Sequence, residues 1–355
     1  MKEADLRCFN RIFLIAVLFS GAFRLSFAQS SAWTVRTSGT TAEMHSVAWG
    51  GSGGGQFVAV GAGGTILTSP NGVTWTSRAV GAENYLNAVV WTGSQWVAVG
   101  ADTIGVTGAI LTSVDGSSWI SRNSGTTAPL LSVTWAVNQL VVGGKRGVIL
   151  TSPNGVNWTS RTSGTMDGVS ALVSNGSQIV AVSDAGAILT SPNGATWTTS
   201  VASTMNSLYC IAWTGSEFVT AGVSSMKTSM DGIIWTSLAS GSSDIRGIAY
   251  TGAQLVAVGF NGALQSSANV VNWTTRNSGT TNTLYSVVSN GALLVVVGKN
   301  GTILTSPLDP VANFRHLQIR NNSAPGLTLY QFFTAYTLNG RKQIVLPTPF
   351  RKGIF

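Results

Sequence analysis

The chain has 355 residues, of which 44% are hydrophobic and only 9% are charged, and it contains 42 glycines and 12 tryptophans. Globular proteins usually carry about 25% charged residues, so this composition excludes a charged disordered chain and a coiled coil. Beyond the N-terminus no apolar run approaches the roughly 20 residues that span a bilayer. We therefore expect the hydrophobic residues to form a packed core, without a transmembrane span.

The N-terminal segment, residues 1–28, has the pattern of a secretory signal peptide. Basic residues precede a continuous apolar run over 12–19, and Ser26 and Ala28 place small residues where a signal peptidase reads them. We expect cleavage after Ala28. An uncleaved anchor is the alternative, although Arg24 interrupts the run well short of a span. The pattern predicts a secreted, periplasmic or cell-surface protein.

The two cysteines predict no intramolecular disulfide. Cys8 leaves with the predicted signal peptide, and Cys210 lies in the apolar stretch 208–213. We therefore expect Cys210 to be a small buried hydrophobic residue.

The net charge of +8 is concentrated near the C-terminus. Residues 29–308 hold ten basic and nine acidic residues, which gives +1, whereas residues 309–355 hold six basic residues and one acidic residue, which gives +5. Since the main body is nearly neutral, the charge does not favour nucleic acid as a partner.

A repeated turn dominates the chain from residue 33 to 306, with the pattern Ser-x-Asn/Asp-Gly-x-x-Trp. Its clearest copies hold, at the Asn/Asp, Gly and Trp positions, Asn71, Gly72 and Trp75; Asp115, Gly116 and Trp119; Asn154, Gly155 and Trp158; Asn193, Gly194 and Trp197; and Asp231, Gly232 and Trp235. Trp33 is the first tryptophan of the series and Trp273 is the last. The tryptophans recur at a period of roughly 40 residues, which is typical of the blades of a β-propeller.

Each period contains four short predicted strands. In the second period they cover 73–78, 86–91, 95–100 and 108–113, separated by Gly, Ser, Asn and Thr. β-Branched residues dominate, and several strands are apolar at successive positions, which predicts burial on both faces. Four-stranded units buried on both faces are the blades of a propeller.

The turn resembles the Asp-box of sialidase-type propellers and the related turn of photosystem II assembly factor propellers. In those families the turn usually has one more residue between the acidic residue and the tryptophan. The resemblance extends over nearly all of residues 29–308. It implies that the turn joins the third and fourth strands of a blade. It also implies that the turn lies away from the ligand face and carries no chemistry.

The number of inner strand sets predicts seven blades. The seventh set ends at residues 302–307 without an outer strand, while the strand at 32–36 belongs to no other blade. We therefore predict an all-β fold, a single seven-bladed β-propeller of four-stranded antiparallel blades over residues 29–308. The N-terminal strand is expected to close it, because this pairing removes free sheet edges.

No catalytic set, metal site or cofactor is predicted. Sialidases of this fold use an arginine cluster, but most arginines of the repeat fall three residues after its tryptophan, which indicates a structural role. These residues are Arg36, Arg78, Arg122, Arg161 and Arg276. Only Arg146 and Arg246 are outside the pattern, too few for a carboxylate-binding triad. His45 and His316 are the only histidines, and no Cys or acidic cluster has the spacing of metal ligands.

Residues that depart from the repeat mark a candidate binding rim. They lie in the loops that enter each inner strand and in those between the second and third strands, which share one face of the ring. The residues on this face are Glu43, Glu83, Tyr85, Asp102, Lys145, Arg146, Asp167, Asp184, Asp244, Phe260 and Lys299. We predict that the five on the second and third blades, from Glu83 to Arg146, form one ligand-binding patch. The alternative is an ordinary solvated rim.

The tail over residues 309–355 is basic and contains no repeat. It is similar to the C-terminal sorting tails of type IX secretion, since Tyr336, Gly340 and Arg341 match their Tyr-x-x-x-Gly-Arg hairpin and residues 353–355 match their late Gly-Ile-Phe-like ending. The usual early Asn-Pro is absent. The alternative is a poorly ordered basic extension.

These observations favour a secreted, non-catalytic propeller, a monomer that binds or scaffolds a protein or glycan at its loop face. One alternative is a carbohydrate-active hydrolase of sialidase or endoglucanase type, which the turn resemblance implies. Another is a chaperone like the photosystem assembly factor, for which a basic face on the ring would be expected.

Overall fold

The computed structural model describes residues 33–78, 84–201, 206–238, 244–308, 333–336 and 342–345. In chain order its strands are β1 (Thr34–Arg36), β2 (Met44–Gly50), β3 (Gln56–Gly61), β4 (Ile66–Ser69), β5 (Thr76–Arg78), β6 (Tyr85–Trp91), β7 (Trp96–Ala101), β8 (Gly108–Ser113), β9 (Ile120–Asn123), β10 (Leu130–Ala136), β11 (Gln139–Gly144), β12 (Val148–Ser152), β13 (Thr159–Thr162), β14 (Val169–Ser174), β15 (Ile179–Ser183), β16 (Ile188–Ser191), β17 (Thr198–Val201), β18 (Leu208–Trp213), β19 (Phe218–Gly222), β20 (Ser225–Ser229), β21 (Thr236–Leu238), β22 (Ile245–Tyr250), β23 (Leu255–Gly259), β24 (Leu264–Ser267), β25 (Thr274–Thr275), β26 (Leu284–Ser289), β27 (Leu293–Gly298), β28 (Ile303–Pro307), β29 (Phe333–Tyr336) and β30 (Lys342–Val345). Four short 3₁₀ turns occur at Ala62–Gly64, Lys145–Gly147, Phe260–Gly262 and Lys299–Gly301.

The strands form seven four-stranded antiparallel sheets, the blades of a propeller. Six blades are consecutive sets from β2–β5 to β22–β25, and the seventh has the order β26-β27-β28-β1. The first strand of each blade is the innermost, and each inner strand contacts the next around the ring, with β2 contacting β26. The prediction of a seven-bladed all-β fold is confirmed.

The core lies between the faces of neighbouring blades. Between the first and seventh blades, for example, Phe57, Val295 and Val297 are fully buried in one cluster. Second and third strands are buried on both faces because each blade has a neighbour on either side. Their runs of successive apolar residues follow from this arrangement.

The N-terminal strand closes the ring. β1 pairs antiparallel with β28, with Thr34 opposite Thr305 and Arg36 opposite Ile303. The predicted closure therefore places a strand from the start of the repeat at the outer edge of the last blade.

The predicted turns join the third and fourth strands and close by one set of hydrogen bonds. In the second blade the Gly116 N–H donates to Ser113 Oγ at 2.8 Å, and Trp119 Nε1 donates to the Gly116 carbonyl at 3.0 Å. Asp115 Oδ1 accepts hydrogen bonds from the two backbone N–H groups after Gly116, both at 2.8 Å. Gly116 has φ of +73°, a conformation that glycine adopts without steric cost. Asparagine or aspartate serves equally, because the turn uses one side-chain oxygen.

The repeated arginines are structural, as predicted. In each case Nε donates to a Thr or Ser hydroxyl on the third strand of the same blade, at 2.8–3.0 Å. The pairs are Arg36–Thr305, Arg78–Thr68, Arg122–Thr112, Arg161–Thr151 and Arg276–Ser266.

Neighbouring blades are also joined by a repeated glutamine. Gln95 Nε2 in the second blade donates to the carbonyl of Asn154, in the turn of the third blade, at 2.9 Å. Gln56, Gln139 and Gln178 make the equivalent bond to the next blade. The fifth blade has Glu217 here, and its carboxylate accepts a hydrogen bond from Thr228 in the same blade.

Outside the ring the structure describes one hairpin, in which Phe333 pairs with Val345 and Tyr336 with Lys342. The predicted signal peptide and the rest of the tail lie outside the described residues, so the sorting-tail interpretation and the domain boundaries stay predictions. Cys210 is buried and unpaired. Within the ranges given above, no helix has the length and hydrophobicity needed to cross a membrane.

Candidate functional site

The candidate site lies on the face opposite the tryptophan turns, called the loop face here. It consists of the loops that enter the innermost strands and those that join second to third strands. Because strands alternate in direction within each blade, both kinds of loop end on one side of the ring. This placement agrees with the rim expected from the sequence.

The predicted patch on the second and third blades forms two pairs of residues. Glu83 lies outside the described residues. Tyr85 begins β6, is 47% exposed and pairs with Ala101, the residue before Asp102. Lys145 and Arg146 share the 3₁₀ turn of the third blade. In the part of the chain described, no hydrogen bond or ion pair joins one pair to the other.

Two charges of that patch are engaged within the protein. Lys145 Nζ lies 2.6 Å from Asp184 Oδ2, an ion pair between the third and fourth blades. Asp102 accepts a hydrogen bond from the Val106 N–H at 2.9 Å, and this bond is the main reason that the pKa of Asp102 is lowered. Asp102 therefore stabilises the insertion loop of the second blade.

Arg146 has a strained backbone. Its φ is +58°, in the left-handed region that side chains rarely adopt. The equivalent turns of the first, sixth and seventh blades place Gly63, Asn261 and Asn300 there, residues that tolerate this region better. The third blade thus carries an arginine where the turn favours Gly or Asn.

All seven innermost strands share a feature that was not predicted from the sequence, a β-bulge after the first residue or, in β6, after the second. A bulge adds an unpaired residue and re-aims its side chain. The bulge residues are His45, Asn87, Leu131, Ser170, Tyr209, Arg246 and Tyr285. Because the innermost strands surround the propeller axis and start at the loop face, these side chains encircle the mouth of the central channel.

Several bulge side chains reach the neighbouring blade. His45 Nδ1 donates to the Leu86 carbonyl at 2.9 Å, and Asn87 Nδ2 makes the equivalent bond to the Leu130 carbonyl at 2.8 Å. The rings of His45 and Tyr285 meet edge to face, with their centroids 5.6 Å apart. The bulge positions therefore link the blades around the mouth.

The fifth, sixth, seventh and first blades contribute a group of polar and aromatic side chains that contact one another at this mouth. We call it the mouth cluster, and it consists of Glu43, His45, Tyr209, Arg246, Tyr285 and Lys299. Glu43 lies 3.7 Å from His45 Nε2 and 3.9 Å from Lys299 Nζ. Burial raises the pKa of Tyr285, and the Glu43 carboxylate, its hydrogen-bond partner, raises it further.

Arg246 is the least satisfied member of the mouth cluster. Its guanidinium carbon lies 4.0 Å from the centre of the Tyr209 ring, a cation–π contact with the fifth blade. Its Nε is buried and has no hydrogen-bond partner among the described residues. Most buried polar atoms have a partner, so this donor requires an explanation.

The sequence does contain a signal for the mouth cluster. Near its start, each inner strand has a large apolar residue, a variable residue, a small residue and a further apolar one, as in Met44-His-Ser-Val and Ile245-Arg-Gly-Ile. The variable second position is the bulge. This position lies inside a predicted strand and not in a loop, so it is not among the residues predicted for the rim.

The cluster combines cations, a carboxylate and aromatic faces, a composition suited to binding. Among the residues that the structure describes, no three His, Cys, Asp or Glu side chains are grouped to hold a metal ion. Glycoside hydrolysis requires a facing pair of carboxylates. The mouth cluster as defined contributes a single carboxylate, that of Glu43, so it does not supply this pair.

No family model matches the sequence, and no curated protein matches it. Several solved structures share the fold. YCF48 bound to a D1 peptide is 18% identical with a TM-score of 0.64, and the match covers 78% of this chain and 95% of that one. YCF48 from Cyanidioschyzon merolae is 17% identical, with a TM-score of 0.62 and coverage of 78% and 98%.

A third similar structure is a catalytically inactive variant of virginiamycin B lyase from Staphylococcus aureus with quinupristin. It is 8% identical, with a TM-score of 0.68 and coverage of 78% and 99%. Identities this low establish shared architecture and leave function open. What the similarities establish for this chain is the fold of a seven-bladed β-propeller.

Proposed function

We propose that the protein is a non-catalytic propeller that binds a segment of a partner protein across its loop face, at the mouth cluster. The observation that carries this proposal is that the seven equivalent bulge positions hold six different residue types, while the turns and arginines of the blades repeat. A residue that serves the structure of the blade is expected to recur in every blade, whereas the bulge residues vary. Aromatic residues and arginine, which the cluster contains, are also enriched where protein interfaces derive their binding energy.

The similar structures support a protein partner over a glycan. One of them is YCF48 with a D1 peptide bound, so a propeller of comparable shape accommodates a peptide. The fold similarity carries no residue of that site to this chain. For this chain the support is the chemistry of the mouth cluster.

The patch from the second and third blades is proposed as a second contact area on the same face. It consists of Glu83, Tyr85, Asp102, Lys145 and Arg146. Strained backbone is often retained where a side chain has a function, which favours a role for Arg146. Lys145 contributes through its ion pair with Asp184, which orders the loops of two blades.

Export from the cytoplasm is part of the proposal. Its support is the predicted signal peptide over residues 1–28. We expect a mature N-terminus at residue 29, which mass spectrometry of the secreted protein would establish. Recovery of the uncleaved chain in the membrane fraction would instead support the anchor.

The decisive experiment is a selection of binders from a random peptide display library, run beside a glycan array. We expect the parent protein to enrich peptides, and a His45→Gln, Lys299→Gln double variant to bind them at least tenfold more weakly. Lys227→Gln, on β20 away from the loop face, is the matched control and should bind like the parent.

Other outcomes would overturn the proposal. Binding confined to glycans would replace the protein partner by a carbohydrate. Turnover of a sialoside or β-glucan by the purified protein, abolished by changing one carboxylate, would establish the hydrolase alternative. Enriched peptides that bind both variants equally would place the site elsewhere.

A further inference from the structure

We infer that Arg246 is a binding site for a carboxylate group on the peptide partner. This inference rests on the proposed function and adds the chemistry of its ligand. The carboxylate is either the C-terminus of the partner or an Asp or Glu side chain.

The guanidinium of Arg246 has an N–H group without a hydrogen-bond acceptor. Arginine presents five N–H groups in a planar fork and accepts nothing. Nε is buried without a partner, and no carboxylate oxygen of the described residues lies within 4.0 Å of any Arg246 nitrogen. A buried donor to a charged acceptor forms a stronger hydrogen bond than one to a neutral acceptor.

Tyr209 holds the guanidinium in place. The guanidinium carbon lies over the Tyr209 ring, 4.0 Å from its centre. The N–H groups of a guanidinium point outward in its own plane, so they donate to acceptors that lie in that plane. A carboxylate fits this requirement, because its two oxygens match the arginine fork in one plane.

The nearby acidic side chains do not pair with Arg246, so its charge is available to an anion from a partner. Glu43, the carboxylate of the cluster, is already engaged by His45 at 3.7 Å, by Lys299 at 3.9 Å and by Tyr285. Asp244 precedes Arg246 by two residues but forms no ion pair with it within the described chain. Arg246 is thus a cation at the channel mouth that the described acidic residues leave uncompensated.

The test is a titration of the full protein followed by NMR at the Nε–Hε resonance of Arg246. The probes are N-acetyl-tetra-alanine with a free C-terminal carboxylate, the same peptide as its C-terminal amide, and an amidated peptide with one Asp side chain. We expect saturable shifts with at least one carboxylate probe, and at least tenfold weaker binding of the neutral amide. The comparison of the two carboxylate probes identifies the source of the group.

Variants make the assignment specific. Arg246→Gln should abolish the preference for carboxylate over amide, measured by competition with a fluorescent peptide. Arg246→Lys keeps the charge but loses the fork, so it should weaken the preference. Lys227→Gln should leave it unchanged. A melting curve for each variant separates lost binding from lost folding, and the titration of the parent needs no variant.

The outcomes separate this inference from the proposed function. Equal shifts with the amide and carboxylate probes, or no shift at tens of millimolar, would overturn the role of Arg246 even if selected peptides bind the mouth cluster. Carboxylate-specific shifts without any selected peptide would leave the Arg246 site standing and overturn the proposal of a peptide-binding propeller.

Discussion

Single aspartates in the blade turns make stability depend on pH. Hydrogen bonds from the backbone N–H groups of Ser118 and Ser117 lower the pKa of Asp115, and those of Ile234 and Ile233 lower the pKa of Asp231. A carboxyl group with a lowered pKa in the folded state stabilises the protein above its unfolded pKa of about 3.9 and loses that contribution as the pH falls below it.

The first prediction concerns an Asp115→Asn, Asp231→Asn double variant. Three other turns already use asparagine with the same geometry. We therefore expect its melting temperature to fall less than that of the parent between pH 5 and about pH 3. Asn154→Asp should have the opposite effect. Identical pH profiles for all three proteins would show that the turn aspartates do not contribute.

The second prediction concerns Cys210. Burial raises its pKa to about 12, so the thiol remains protonated at neutral pH. Thiolate is the reactive form of cysteine. In a Cys8→Ser variant, where Cys210 is the only thiol, we expect no reaction with a disulfide reagent at pH 8 until the ring unfolds. Rapid labelling of the folded protein would contradict its burial.

The third prediction is that Arg146→Asn stabilises the protein. Asparagine occupies the same strained turn position in the sixth and seventh blades. Relief of the backbone strain at a left-handed residue should raise the free energy of unfolding by about 1 kcal/mol. This change corresponds to roughly 2–4 °C in melting temperature. Asn261→Arg is the reverse control and should lose a similar amount. No change in either variant would mean that the turn tolerates arginine without cost.

At the scale of the blades, the junction between the fifth and sixth lacks the glutamine bond that joins each of the first four blades to the next. Glu217 replaces the glutamine that joins one blade to the next, and a carboxylate cannot donate to a carbonyl. The turn it faces is also altered, since Val270 takes the glycine position at φ +67°. The Trp273 indole nevertheless still donates to the Val270 carbonyl, at 2.6 Å.

The fourth prediction is that Glu217→Gln restores this joint. Asn269 holds the Asn/Asp position of the sixth-blade turn, where its side chain accepts a hydrogen bond from the Asn272 N–H. An amide at position 217 can donate to the Asn269 carbonyl while its oxygen still accepts from Thr228. We expect stabilisation of up to about 1 kcal/mol, the net value of one hydrogen bond. Gln178→Glu is the matched reverse change and should destabilise the fourth blade against the fifth. Thermal melts of the two variants that move in the same direction would refute the interpretation.

For the whole molecule, closure of the ring joins the two ends of the repeat. β1 contributes three residue pairs to β28, and Trp33 packs against the core between the sixth and seventh blades. Without β1, the third strand of the seventh blade would present an unpaired edge.

The fifth prediction follows from this closure. Deletion of residues 29–37 should cost at least about 2 kcal/mol, or roughly 4 °C in melting temperature. Deletion of residues 309–355 is the control and should change the melting temperature little, because among the described strands none from that segment belongs to a blade. A deletion of the N-terminal strand that melts within a degree or two of the parent would show that closure is dispensable.

The sequence by itself determined the architecture of this protein. A fixed turn that recurs with a period of about 40 residues specifies one blade. Each blade depends on its immediate neighbours, so the number of blades and the closure by residues 34–36 follow from counting. The roles of Asp115 and Arg122 were equally readable, because their partners lie close to them along the chain.

Only the tertiary structure decided where the candidate site lies. The sequence favoured a patch on adjacent blades, since Asp102 and Lys145 depart from the repeat in consecutive blades. Ring closure also brings His45 against Tyr285, from opposite ends of the repeat. Local periodicity does not report a bulge, which turns Tyr209 and Arg246 toward the channel mouth from within an otherwise regular strand. Strand pairing within each blade sets the direction of those side chains. Closure of the ring determines which side chains of other blades lie next to them.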